Sequence, residues 1–121
     1  MHPLRILLVE DEALLAALLA EVLIDMGHTV DAIVATEADA VRAAKRLKPD
    51  LMIVDFRLRE GTGADAVAKI LTDGFVPHVY MSGDRLNIMP RHARAVVLEK
   101  PFRDSDLMRA IDRAVGETTD A

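Results

Sequence analysis

Short runs of apolar residues alternate along the chain with longer segments whose apolar positions recur every three or four residues. The short runs have the length of β-strands, and the longer segments have the period of amphipathic α-helices. Five such strand and helix units follow one another. The predicted strands are Leu4–Val9, Thr29–Val34, Asp50–Asp55, His78–Ser82 and Ala95–Leu98.

The third strand-like run, Leu51–Val54, is apolar without alternation. Continuous apolar character is typical of a central parallel strand, which is buried on both faces. Parallel strands joined by right-handed helical crossovers form an open, doubly wound α/β sheet. In such sheets, ligands bind beyond the carboxyl ends of the strands. We therefore expect the functional residues to follow the strands directly.

The ends of the first three helices carry recognisable signals. Thr36 and Thr62 each lie three residues before an aspartate, a variant of the capping box that opens a helix. Lys48-Pro49 is predicted to end the second helix, and Gly27 to cap the first one. The first helix should cover one sheet face with an apolar stripe: Leu14, Leu15, Leu18, Leu19, Val22, Leu23 and Met26.

Two segments are predicted to be irregular. Residues 83–94 include Gly83, Asn87 and Pro90, which leave room for about one or two turns of a fourth helix. Residues 117–121 are expected to form a frayed tail. Residues 1–121 are otherwise expected to form a single domain, without an output domain.

Composition excludes several classes of function. The 121 residues contain no cysteine, which excludes disulfide scaffolds and thiolate chemistry, and no apolar run approaches the roughly 20 residues of a membrane span. The net charge is −5, with 51% hydrophobic residues and four phenylalanine or tyrosine residues. With no basic cluster and few aromatic rings to stack on bases, direct nucleic-acid binding is not expected.

Charged and hydroxyl side chains follow four of the predicted strands: Glu10, Asp11, Asp55, Ser82 and Lys100. Carboxylates that converge repel each other by about 4 kcal/mol per pair at 4 Å with an effective dielectric near 20, so cations are needed. Oxygen ligands without histidine or sulfur favour Mg²⁺, which takes further ligands from a phosphate. In this interpretation Asp55 is a nucleophile that becomes an aspartyl phosphate, while Lys100 and Ser82 bind phosphoryl oxygens.

Each residue also has a purely structural interpretation. Glu10 and Asp11 are acids at a helix N-terminus, where they favour the helix dipole. Asp55 and Ser82 are common turn residues, and Lys100 is a residue type that is usually solvated. Their shared position at strand ends, rather than their identity, favours a common site.

These residues resemble the motifs of the receiver domain of bacterial two-component response regulators. The matching motifs occur in order and cover essentially the whole chain: Leu8-Val9-Glu10-Asp11-Glu12, Ile53-Val54-Asp55, Met81-Ser82-Gly83 and Glu99-Lys100-Pro101-Phe102. The resemblance implies a flavodoxin-like five-stranded parallel sheet in the order 2-1-3-4-5. It also implies that Lys100 pairs with Asp55 or its phosphate and that the Lys100-Pro101 peptide is cis. The implied Mg²⁺ ligands are the carboxylates of Glu10, Asp11 and Asp55 and the backbone carbonyl of Arg57.

The sequence departs from the family pattern at two places. Val97 occupies the position of an aromatic switch residue, so this position offers no aromatic ring for switching coupled to Ser82. Only 18 residue steps separate Ser82 from Lys100. The Pro77–Asp84 segment is similar to the Pro-Phe-Ala-Thr-Gly-Tyr motif of a mostly alphaproteobacterial subgroup in which helix four is short or absent. We also hypothesise that Arg57 and Asp84 form a salt bridge that shields the phosphate.

The resemblance implies a stand-alone phosphoacceptor domain rather than an enzyme, with Mg²⁺-dependent self-phosphorylation and autodephosphorylation. Its expected partners are a histidine kinase or histidine phosphotransferase and a downstream protein. We expect a cytoplasmic protein that is a monomer or a phosphorylation-dependent dimer. One alternative is a receiver-like interaction module that acts without phosphorylation, which Val97 favours. Another is an aspartyl phosphohydrolase. Such enzymes carry an Asp-x-Asp motif, whereas Arg57 occupies the position of the second aspartate here.

Overall fold

A computed structural model describes residues 2–83 and 94–116 of the chain. The core of the predicted fourth helix, residues 84–93, and the predicted tail at 117–121 lie outside the described residues.

From β1 to β4, the described elements alternate between strand and helix, as the hydrophobic pattern predicts. They are β1 (Arg5–Val9), α1 (Ala13–Asp25), β2 (Thr29–Val34), α2 (Glu37–Leu47), β3 (Leu51–Asp55), α3 (Gly63–Ile70), a 3₁₀ turn (Leu71–Asp73), β4 (His78–Ser82), β5 (Val96–Glu99) and α4 (Asp104–Val115). All five strands are parallel and lie in the order β2-β1-β3-β4-β5. The predicted fold class and strand order are therefore confirmed.

Helices cover both faces of the sheet. On one face, α1 and α4 pack on alternate strand residues such as Ile6, Ile53 and Met81. On the other face, α2 and α3 pack on the intervening residues, including Val54 and Tyr80. The central strands β1, β3 and β4 are buried on both faces over most of their length, which accounts for their continuous apolar sequence.

The predicted apolar stripe of α1 is only partly correct. Leu19 and Leu23 are buried against the sheet, but Leu14 and Leu18 are 74% and 52% exposed. The apolar residues of α1 extend over more of its surface than the sheet can cover, because Ala16 takes part of the buried face. The structure therefore leaves an apolar surface of α1 exposed to solvent.

The helix ends confirm the capping predictions. The Thr36 hydroxyl accepts a hydrogen bond from Asp39 N–H, and the Thr62 hydroxyl accepts one from Asp65 N–H. Lys48 ends α2 in the left-handed conformation, with φ at +48°. Among the helices of residues 2–83 and 94–116, none is long and apolar enough to cross a membrane.

Candidate functional site

Three carboxylates meet at the carboxyl edge of the sheet. Asp55 is the last residue of β3, while Glu10 and Asp11 follow the neighbouring strand β1. One oxygen of each carboxylate lies within 4.8 Å of the other two. The strand order brings these residues together, because β1 and β3 are adjacent and end at the same edge.

Glu10 is the most buried of the three acids, with a residue exposure of 2%. Its Oε2 accepts a hydrogen bond from Glu12 N–H at 3.1 Å. Its Oε1 is buried, and no hydrogen-bond donor reaches it among the residues that the structure describes. Burial raises the pKa of Glu10 to about 7, and the negative charge of Asp55 adds to the rise. The hydrogen bond from Glu12 N–H and, to a lesser extent, the charge of Lys100 oppose it.

Lys100 follows β5 and supplies a positive charge to this cluster. Its Nζ lies 3.4 Å from Asp55 Oδ2 and 3.6 Å from Glu10 Oε1. Lys100 N–H donates to Ser82 O at 2.7 Å, so the end of β5 is fixed to the end of β4. The Lys100-Pro101 peptide bond is cis, as predicted.

The loop between β3 and α3, residues 56–62, borders the carboxylates. Arg59 N–H donates to Asp11 Oδ2 at 2.7 Å, and Arg57 N–H donates to Asp55 Oδ1 at 3.3 Å. The loop returns to β3 at Gly63, where a Cβ atom would lie 2.1 Å from the backbone oxygen of Asp55. Glycine at this position therefore allows the start of α3 to contact the phosphoacceptor candidate directly.

The site has the chemistry of a Mg²⁺ site. Its donors are carboxylate oxygens, which hard cations prefer, and Glu10 Oε1 is a buried oxygen without a donor in the described part of the chain. A cation bound there would give this oxygen a direct ligand contact and would favour the ionised form of Glu10. The residues present therefore fit Mg²⁺.

The structure places the other predicted site residues as follows. Ser82 ends β4 and is buried, one residue beyond Met81, which pairs with Asp55 in the sheet. The Arg57 side chain is exposed, and its backbone pairs with Thr62 across the loop. Asp84 lies outside the described residues, so its bridge to Arg57 stays a prediction.

Val97 lies on β5 and pairs in register with Tyr80 of β4. Tyr80 is buried and makes an edge-on contact with Phe56, the residue after Asp55, with ring centroids 5.5 Å apart. An aromatic ring therefore lies on the strand next to Val97, in contact with the loop that follows Asp55. None of the four receiver motifs quoted above contains Tyr80. The sequence marks it only as an aromatic residue two positions before Ser82.

Two further contacts have no counterpart in the sequence pattern: the hydrogen bond from Arg59 to Asp11, and a hydrogen bond to Glu37 from the opposite end of the same loop. Glu37 lies between Thr36 and Asp39, the two residues of the predicted α2 capping signal, and that signal gives it no role of its own. Its partner Thr62 is 25 residues away in the chain, so no local pattern predicts the contact.

The chain matches the model of a known protein family over most of its length. The family model described as "Response regulator receiver domain" matches residues 6–112. The chain belongs to this family. Receivers of this kind are signalling phosphoacceptors in two-component systems rather than classical enzymes, which favours the phosphoacceptor interpretation over the phosphohydrolase.

Among curated proteins, the receiver is 35% identical over 117 residues to the transcriptional regulatory protein PdtaR of Mycobacterium tuberculosis. The match covers 93% of this chain and 57% of PdtaR. The receiver thus spans little more than half the length of that relative.

Solved structures of similar proteins share the fold, and one of them contains magnesium. The response regulator PhyR from Brucella abortus has a TM-score of 0.85 and 25% identity, over 96% of this chain and 49% of that one. The receiver domain of the sensor histidine kinase PA1611 from Pseudomonas aeruginosa has a TM-score of 0.82 and 29% identity, over 95% and 99% of the two chains. That structure holds magnesium in its active site cleft. Mg²⁺ binding is thus a property of related receivers.

Proposed function

We propose that Asp55 is the phosphoacceptor of this receiver and that its donor is the phosphohistidine of a kinase or phosphotransferase. The observation that carries the proposal is the position of Asp55 at the end of β3, within 4.8 Å of two further carboxylates and 3.4 Å from Lys100 Nζ. A purely structural aspartate does not require this arrangement, because burying several acids together is costly.

In the proposed transfer, a carboxylate oxygen of Asp55 attacks the phosphorus atom. The phosphorus–nitrogen bond of the donor breaks as the new phosphorus–oxygen bond forms, and the donor imidazole leaves with the electron pair of the broken bond. Lys100 Nζ is placed to neutralise charge on the phosphoryl oxygens. The Ser82 hydroxyl is the proposed hydrogen-bond donor to a further phosphoryl oxygen.

Glu10, Asp11, Asp55 and the carbonyl of Arg57 are the proposed ligands of Mg²⁺. When bound, the ion offsets the repulsion among the carboxylates and polarises the phosphoryl oxygens. Glu10 must then be ionised, whereas burial favours its protonated form. Binding of the cation would therefore displace the proton that burial favours on Glu10.

The acyl phosphate is also expected to hydrolyse on the receiver itself. A water molecule attacks phosphorus, the bond to Asp55 oxygen breaks, and inorganic phosphate and the free carboxylate are regenerated. The proposed Mg²⁺-dependent self-phosphorylation from small donors uses the same attack by Asp55 with a different leaving group. Both activities belong to one site, so both should depend on the same ligands.

We assign donor docking to the apolar groove between α1 and the segment after β5. The groove has a volume of about 350 Å³, and Leu18, Met81, Pro101 and Phe102 are among its lining residues. Lys100, which contacts Asp55, also lines it. A donor has to bring its phosphohistidine to Asp55, and the groove provides an apolar surface beside that site. The proposed occupant is an apolar helix face of the histidine-bearing partner.

The proposed output is contact with a downstream protein in the cytoplasm, after phosphorylation shifts a two-state equilibrium. The second candidate function, an interaction module without phosphorylation, is favoured only by the aliphatic Val97 at the switch position. The two functions make opposite predictions about labelling of Asp55.

Intact mass spectrometry of the receiver incubated with acetyl phosphate tests the proposal. With Mg²⁺, we expect a gain of roughly 80 Da that is absent with chelator and absent in Asp55→Asn. Asp39→Asn, which changes an exposed acid of α2, is the matched control and should be labelled normally. If neither acetyl phosphate nor a histidine kinase labels the receiver, the phosphorylation-independent function is the correct one.

A further inference from the structure

Glu37, the first residue of α2, makes three hydrogen bonds that leave its own helix. Its Oε1 accepts from Thr62 N–H at 3.2 Å, and its Oε2 accepts from Lys69 Nζ at 2.5 Å. Its own N–H donates to Glu60 O at 3.2 Å. The side chain is only 17% exposed. Glu37 therefore binds both the end of loop 56–62 and the helix α3 that follows it.

Gly61 makes this close approach possible. Its φ is +85°, and a Cβ atom at this position would lie 2.4 Å from Glu37 Oε1 and 2.5 Å from Glu37 Cβ. The carboxylate thus packs against bare backbone, where any side chain would displace it. The contact between Glu37 and Gly61 therefore fixes how closely the loop approaches α2.

The same loop contacts the acidic site from its other side. Arg59 N–H donates to Asp11, and Arg57 N–H donates to Asp55, the two contacts described above. Loop 56–62 is therefore held between the site carboxylates and Glu37. Glu37 itself is not a member of the carboxylate cluster.

We propose that Glu37 is a positioning residue, which holds loop 56–62 from the N-terminus of α2 so that the Arg57 carbonyl stays in place for Mg²⁺. This inference rests on the proposed function, in which that carbonyl is a ligand. The hydrogen bond from Lys69 and, next, that from Thr62 lower the pKa of Glu37, because both donors favour its ionised carboxylate. The effect of Glu37 on the reaction is exerted through the loop, because it does not touch the reacting atoms.

Mg²⁺ titration by calorimetry tests this role directly. Glu37→Ala should raise the Kd for Mg²⁺ about fivefold, the factor expected for loss of a net hydrogen bond that orders the loop. Glu37→Gln keeps an acceptor for Thr62 N–H and should recover most of the affinity. Asp39→Ala is the matched control: it removes an acid from the same helical turn, where Asp39 pairs with Arg42 rather than with the loop. It should leave the Kd unchanged.

Labelling by acetyl phosphate at several Mg²⁺ concentrations provides the second measurement. The Glu37→Ala rate should approach that of the parent protein at saturating Mg²⁺ and fall below it at low Mg²⁺. A Kd that Glu37→Ala leaves unchanged, or that Asp39→Ala raises equally, overturns the positioning role. If the parent protein binds Mg²⁺ but is never labelled, the proposed function fails, while the Kd values still decide the role of Glu37. Absence of Mg²⁺ binding in the parent protein overturns both.

Discussion

Lys100 Nζ lies 3.4 Å from Asp55 Oδ2 and, at the same time, 3.6 Å from Glu10 Oε1. One ammonium group thus contacts both the candidate phosphoacceptor and a candidate metal ligand. This double contact predicts that Lys100 opposes metal binding while it favours phosphoryl transfer, since it repels a cation and attracts phosphoryl oxygens.

Replacement of Lys100 should therefore strengthen Mg²⁺ binding and, at the same time, slow phosphoryl transfer. In Lys100→Met, the Kd for Mg²⁺ should fall about tenfold, because a positive charge beside the carboxylates is removed. The rate of Asp55 labelling by acetyl phosphate should fall by about ten- to a hundredfold, since the phosphoryl oxygens lose a charged partner. Lys45→Met, on the exposed surface of α2, is the control. Weaker Mg²⁺ binding in Lys100→Met would contradict this account.

The raised pKa of Glu10 predicts the pH dependence of stability in the metal-free protein. Because its folded-state pKa is about 7 against 4.5 for the free side chain, the native protein keeps a proton that the unfolded chain releases between these values. The contribution of this bound proton to the free energy of unfolding is fully present below pH 4.5 and is lost as the pH rises through 7. As the pH rises from 5 to 8, the unfolding free energy of Glu10→Gln should therefore increase by about 2 to 3 kcal/mol relative to that of the parent protein.

Urea unfolding in the presence of a chelator measures this difference. Asp39→Asn, an exposed acid outside the cluster, provides the baseline for a simple change of charge. Addition of Mg²⁺ at pH 8 should restore the stability of the parent protein and leave that of Glu10→Gln nearly unchanged, because Mg²⁺ binding requires the ionised carboxylate. A stability difference between Glu10→Gln and the parent that does not vary with pH would show that the site does not hold Glu10 protonated.

Leu18 tests the docking surface. The side chain is 52% exposed and lines the groove that also contains Lys100 and Pro101. Leu18→Glu should slow transfer from a cognate histidine kinase on the order of tenfold, because it places a charge in an apolar contact. Labelling by acetyl phosphate should not change, since that donor needs no docking surface. Ile24→Glu, an exposed apolar residue at the far end of α1, serves as the matched control. Equal loss with both donors would indicate damage to the fold instead.

The positions of the chemically active residues were predictable because strand ends are visible in the sequence. Each apolar run stops within a residue of the observed strand end, and parallel strands bring their carboxyl ends to one edge. Asp55, Glu10 and Lys100 can therefore be grouped from the sequence alone. The strand order itself came from the family resemblance, since periodicity does not distinguish one order of neighbours from another.

Tertiary contacts of individual side chains were not predictable in the same way. Leu14 and Leu18 satisfy the helical period but are exposed, because the sheet covers only part of an almost wholly apolar helix. Glu37 lies within the capping signal of α2 but has no role in it, and its contacts with Thr62 and Lys69 depend on how α2 and α3 pack. Local sequence specifies helix ends well, whereas the partner of a polar side chain depends on elements distant in the chain.

Chemical trapping of the phosphoryl group tests the central claim most directly. The receiver is labelled with acetyl phosphate and Mg²⁺, treated with borohydride, digested and sequenced by tandem mass spectrometry. Because borohydride reduces an acyl phosphate to an alcohol, we predict homoserine at position 55 in the labelled sample and aspartate there in the sample with chelator. Homoserine at Asp11 or another aspartate, with position 55 unchanged, would contradict the assignment of Asp55 as the phosphoacceptor.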